Sequence, residues 1–178
     1  MSPSVRFAAR LALVVLSALV LQVGVFSQLP IAGGRPLVLL LVALSAGFAL
    51  GPERGAVAGF AAGLGFDLLT TTPVGLGAGV FCVAGHLTGR YRPALRHRSW
   101  WQLSAAVGLA SAAAFVALVL VGWVLGQRGM APDRLAGGLL VVSLVNAALA
   151  PAARAVMAWA GGGGADERFA PAGSARVR

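Results

Sequence analysis

The charged residues of this chain are few, and their positions decide what it can fold into. They occur at Arg6, Arg10, Arg35, Glu53, Arg54 and Asp67, then in a cluster at Arg90, Arg92, Arg96 and Arg98. Arg128, Asp133, Arg134, Arg154, Asp166, Glu167, Arg168, Arg176 and Arg178 complete the set. The intervals between them are long, uncharged and apolar. A soluble domain carries about 25% charged residues, whereas this chain carries 11%, too few to cover a globular surface. A single soluble domain is therefore excluded. The net charge of +9 does not indicate a nucleic-acid partner, because the 14 basic residues, all arginine, sit in short clusters rather than on one face. The expected surroundings are a lipid bilayer, and the pattern is that of a polytopic membrane protein. The one cysteine, Cys82, permits no internal disulfide.

A hydrocarbon core of ~30 Å needs about 20 helical residues. Leu11–Leu29 meets that length as a retained helix, its apolar run being too long for a signal peptide. Pro36–Leu50 is a second, shorter helix, stopped by Gly51-Pro52 and the pair Glu53-Arg54. Trp100–Leu125 is a long one with tryptophans at both ends, matching interfacial belts. Leu135 to about Ala153 is the last. The interval from Gly55 to Gly89 has no basic residue, and as one helix it would extend about 52 Å, too far for one crossing. Thr70-Thr71-Thr72-Pro73 interrupts it, with Thr72 suited to an N-cap and Pro73 to a first helical position. The expected split is Gly55–Leu69 and Pro73–Gly89.

Arginine placement tests this count. Six crossings with a cytoplasmic N-terminus leave only Arg35, Arg128 and Arg134 outside, 3 of the 14, with 11 inside. Merging the interrupted interval into one crossing puts 5 inside and 9 outside, against the positive-inside rule. The expectation is an all-α domain over residues 1–160 with six transmembrane helices and both termini cytoplasmic. Residues 161–178 open with four glycines, lack a periodic apolar face and read as a disordered cytoplasmic tail.

Glycines recur every four residues at Gly51, Gly55, Gly59 and Gly63. Each such step turns ~400°, so they share a broad helical face. Small residues in that arrangement let helices approach closely in lipid, within the bundle or against a partner. Asp67 continues the series and is the one acid inside an expected span. A carboxyl there is costly and needs a purpose, either structural, by accepting backbone hydrogen bonds at the following turn, or as a relay. Gln22 and Asn146 are the other mid-helix polar residues considered, as partners for Asp67 or as ties between helices. Cys82 and His86 share a face, but two ligands do not make a metal site. No phosphate loop, His-Glu-x-x-His or Gly-x-Ser-x-Gly motif occurs. Neither an enzyme nor a cofactor is expected. The cluster Arg90, Arg92, Arg96 and Arg98 reads as a cytoplasmic basic loop beside anionic headgroups, and as a docking place for an acidic partner.

These residues resemble the rod shape-determining protein MreD family. Gln22 with Phe26, and Pro36 before Leu39-Leu40-Leu41, resemble its opening. The stronger likeness is Gly51-Pro52, Gly55, Gly59-Phe60, Gly63, Asp67-Leu68-Leu69 and Pro73-Val74-Gly75-Leu76, closed by Gly85, Gly89 and Arg90. It covers about the first ninety residues. The resemblance implies a bacterial inner-membrane protein of the elongasome, with a helical fold similar to the substrate-binding subunit of energy-coupling-factor transporters. It also implies a non-enzymatic scaffold pairing with the bitopic protein MreC. Through that pairing it would link the MreB cytoskeleton to the RodA-type glycosyltransferase and its transpeptidase. The competing expectation is that the same fold serves as the substrate-binding component of a vitamin-type transporter. That role needs a polar pocket near the outer face, for which Asp67, Thr70, Thr71 and Gln22 are the available groups.

Overall fold

A computed structural model describes residues 3–26, 35–70, 74–95, 99–126 and 132–162. These residues are helical almost throughout, with no strand among them. In order they form α1 (Pro3–Leu21), α2 (Val38–Leu50), α3 (Pro52–Leu69), α4 (Leu76–Arg90), the single turn α5 (Arg92–Leu95), α6 (Trp100–Val124) and α7 (Pro132–Ala160). A π-helical turn, Gln22–Phe26, extends α1. Among the described residues, three helical stretches are long and apolar enough to cross a bilayer: Ser4–Val25, Trp100–Val124 and Leu135–Ala160.

The interval expected to break in two does so, between Leu69 and Leu76. Thr72 and Pro73 lie outside the described residues, and the second helix opens at Leu76 rather than Pro73. Its N-cap is Gly75, at φ 106° and ψ −18°, a left-handed conformation that glycine adopts without steric cost. The last helix also differs, continuing through Pro151 to Ala160 rather than ending near Ala153. Arg154 and Trp159 flank an apolar stripe without terminating it, since a long side chain on an exposed face can reach outward from its helix. Arg96, Arg98 and the tail from residue 163 onward lie outside the described residues.

α2 is the centre of the bundle. Every residue from Val38 to Phe48 is buried, and the helix touches α1, α3, α4, α6 and α7. A helix that is apolar all round has no solvent face to present, and this one is walled in on all sides. One residue, Gly51 at φ 97°, separates it from α3, and Pro52 at the start of α3 follows naturally because its missing N–H needs no partner there.

Pairings at one end fix the directions of the helices. A Cβ on Gly89, late in α4, would land on Pro52 at the start of α3, and one on Gly161, just past α7, on Leu50 at the end of α2. Arg10, early in α1, donates to the Trp159 carbonyl at 3.0 Å. Gly138 meets Phe115 and Gly108 meets Ala147, so α6 and α7 run antiparallel. Thus α1, α3 and α6 start at the end where α2, α4 and α7 finish.

The tightest packing is between α3 and α4. A Cβ on Gly59 would coincide with the carbonyl of Phe81, one on Gly63 with that of Gly77, and one on Gly55 would lie 2.5 Å from that of Gly85. Here backbone rests on backbone, and the mutually tilted rings of Phe66 and Phe81 pack beside it with centroids 5.4 Å apart. Gly59→Leu should therefore force the hairpin open and cost ~2–3 kcal/mol or more. Gly79→Ala meets nothing within 4 Å and should be neutral or stabilising by up to ~1 kcal/mol. Melting temperatures of both variants in detergent, by fluorescence-detected size exclusion, check the pair.

Candidate functional site

Asp67 sits two residues before the end of α3, and its side chain turns inward, 2% exposed. Its Oδ2 accepts from the backbone N–H of Gly75 at 2.8 Å and of Ala78 at 3.1 Å, and its Oδ1 from that of Gly77 at 2.8 Å. The first N–H groups of a helix have no intrahelical acceptor, and in an apolar medium no water substitutes. Asp67 thus caps α4 from the neighbouring helix, with its carboxyl at the favourable end of the helix dipole. Glycine is required opposite it, because a Cβ on Gly77 would lie 2.5 Å from Asp67 Oδ1. Thr70 closes the end of α3 by donating its hydroxyl to the Phe66 carbonyl at 3.0 Å. Thr71 lies outside the described residues.

Gln22 and Asn146 do not meet Asp67. They converge on the start of α2. Gln22 Nε2 donates to the Pro36 carbonyl at 2.7 Å while its Oε1 accepts from the Val38 N–H at 2.8 Å. Asn146, fully buried on α7, donates through Nδ2 to the Leu37 carbonyl at 3.3 Å and to the Ser111 hydroxyl of α6 at 3.1 Å. Two side chains thereby serve one buried helix end, and Ser111 of α6 steadies the second of them. Ser111 escaped notice in the sequence because a lone serine among alanines carries no spacing signal.

The glycines divide by role. Gly55, Gly59 and Gly63 form the face against α4, whereas Gly51 faces only Arg92, whose guanidinium would lie 3.8 Å from an added Cβ, and serves as the corner after α2. Their counterparts on α4, Gly77, Gly85 and Gly89, repeat at multiples of four residues. That second series was the legible sign of the pairing. Arg90 is exposed and Arg92 half-buried, at the end of the bundle shared with Arg54 and Trp159.

A lateral groove of about 1010 Å³ opens between α4 and α6, with Leu44 and Phe48 of α2 as its floor. Val80, Val83 and Leu87 line one wall and Ala106, Ala110, Ala113 and Ala117 the other. It runs from Gly75 to Tyr91, about 24 Å along α4. Thr88, whose hydroxyl is held by the Ala84 carbonyl at 2.9 Å, is one of its few polar edges. The alanines recur at three- and four-residue steps along α6, the pattern of a helix-packing surface.

The sequence profile of the rod shape-determining protein MreD matches residues 5–131, from α1 through the groove's second wall. The chain belongs to the MreD family. It matches no curated protein and no solved structure. MreD proteins are membrane proteins of the shape-determining system, so a role in cell shape follows for this chain. The matched stretch contains the Asp67 cap, the Gln22 contact, the glycine-paired hairpin and the groove. Asn146 lies beyond it.

MreD membership puts the weight on architecture, and Asp67 is the point at which architecture is most exposed to a single atom. Asp67→Asn replaces one acceptor oxygen with a donor facing an N–H, and should destabilise the fold by ~1–3 kcal/mol. Amide exchange at Gly75, Gly77 and Ala78 should accelerate while the α6 amides keep their protection, as read by hydrogen–deuterium exchange mass spectrometry.

Proposed function

We propose that this chain is a six-span inner-membrane scaffold of the elongasome, with residues 1–160 as its transmembrane domain and both termini in the cytoplasm. The groove between α4 and α6 seats the single transmembrane helix of an MreC-type bitopic partner. Through that partner the scaffold connects the RodA-type glycosyltransferase and its transpeptidase, and beyond them the MreB cytoskeleton. No reaction is catalysed and no cofactor is used.

The groove is the observation that carries this reading. Its length of about 24 Å is most of a hydrocarbon core, whereas a phospholipid chain reaches through only one leaflet, half of ~30 Å. Its alanine wall suits close approach of another helix, and lipid-exposed association depends on such packing rather than on a hydrophobic drive. The up-and-down order of the helices is consistent with six crossings, because the arginines assigned to the cytoplasm, among them Arg10, Arg54 and Arg92, gather at one end. Helices shorter than a full span, such as α2 with 13 residues, fit this arrangement because they are sheathed by protein rather than lipid.

A transporter component would instead offer polar side chains to a ligand. Gln22 and Asp67 already hold backbone groups, and the groove wall is apolar. Those polar groups serve the fold.

Ala113 is exposed in the groove, so Ala113→Trp should fill it without disturbing the core. Co-purification of the bitopic partner should fall ~10-fold or more while the melting temperature stays within ~2 °C of wild type, about the shift of less than 1 kcal/mol. Undiminished partner recovery from this variant would remove the groove from the interface.

A further inference from the structure

Two arginines at the cytoplasmic end are held by aromatic rings rather than by acids. The Arg10 guanidinium lies over the Trp159 ring at 5.0 Å, and Arg54 of α3 lies over the Phe7 ring at 5.1 Å. Phe7 and Arg10 are one helical turn apart on α1, so the two stacks lie on the same stretch of that helix, one toward α3 and the other toward α7. Stacking occupies the face of a guanidinium and leaves its donor-bearing edge available. Arg10 spends one donor on the Trp159 carbonyl. Neither guanidinium forms an ion pair among the described residues. Asp67 is at the opposite end, and Glu53, adjacent to Arg54 in sequence, projects about 100° away around α3.

We propose that this corner binds the phosphate headgroup of an anionic phospholipid of the inner leaflet. A guanidinium edge held in place by its ring matches phosphate oxygens in geometry and charge, and here two such edges flank the same stretch of α1. The site lies at the level of Trp159, a half-exposed ring of the kind found at the headgroup boundary. Beyond Arg10 along α1, Leu13 and Leu16 are exposed and offer the attached acyl chain an apolar surface. Basic pockets between transmembrane helices on the cytoplasmic side recognise lipid headgroups by this combination. The inference rests on the bilayer orientation given above but not on the groove, so the outcome of Ala113→Trp and the outcome here are independent.

The test is native mass spectrometry of the full chain, stripped progressively by detergent in mixed phosphatidylglycerol and phosphatidylcholine. Wild type should keep phosphatidylglycerol selectively. R10Q and R54Q should each lose ~10-fold in retained phosphatidylglycerol, while R154Q, an exposed arginine on α7 without a stacking ring, should lose less than ~2-fold, since the leaflet potential worth about five-fold per charge is absent in detergent. Equal losses in all three variants would mean a diffuse potential and would overturn the site. Displacement of the lipid by millimolar inorganic phosphate would overturn the lipid as its ligand. If R10Q lowers the melting temperature in phosphatidylcholine, R10K decides. It keeps the charge and stem but not the fork, and full selectivity in R10K would falsify the proposal.

Discussion

α2 begins and runs inside the bundle, so the free backbone groups at its start have no water to turn to. Each buried N–H or C=O left without a partner in such a medium costs several kcal/mol. The neighbouring helices are arranged around that demand. Gln22 reaches in from α1 with both ends of its amide to the Pro36 carbonyl and the Val38 N–H, while Asn146 of α7 adds a second bond to the Leu37 carbonyl, which also accepts from Leu41, and holds Ser111 of α6. The π-helical turn starts at Gln22, where a wider helical turn re-aims a side chain. One short helix thus ties together three long ones that have few other polar contacts.

The α3–α4 hairpin meets the same demand by a different means. Its glycines bring the two backbones into contact, and Asp67 then satisfies the helix start that this contact buries. The two features need each other. Without Gly77 the carboxyl has no room, and without the carboxyl the N–H groups of α4 have no acceptor. Glycine in a helix interior costs about 1 kcal/mol in backbone freedom relative to alanine, and the contacts that only a bare Cα allows offset it.

Much of this was legible in the sequence. The charge positions gave the helical stretches, the four-residue glycine step gave the close face, and an isolated acid near a Thr-Pro break pointed to a capped turn. Boundaries were less legible. Gly75 rather than Thr72 caps α4, because a left-handed glycine and a carboxyl from another helix together do what a local side chain would otherwise do. Pro151 does not interrupt α7, since neighbouring helices in a bundle absorb the lost hydrogen bond. Long-range partnerships could not be read at all. Nothing local tells Asn146 that Leu37, 109 residues earlier, is its acceptor, and the groove depends on how α4 and α6 seat on α2.

Gly51 joins α2 to α3 with one residue at φ 97° and no slack. α3 in turn is locked to α4 by backbone contact, so these three helices form a single stiff body. α6 and α7 form an antiparallel pair that is itself packed on α2 and tied to it by Asn146. The groove lies along the seam between the two. Its width is therefore set by how that pair seats on α2 rather than by any loop, and an occupant that widened it would work against the Asn146 tie to Leu37.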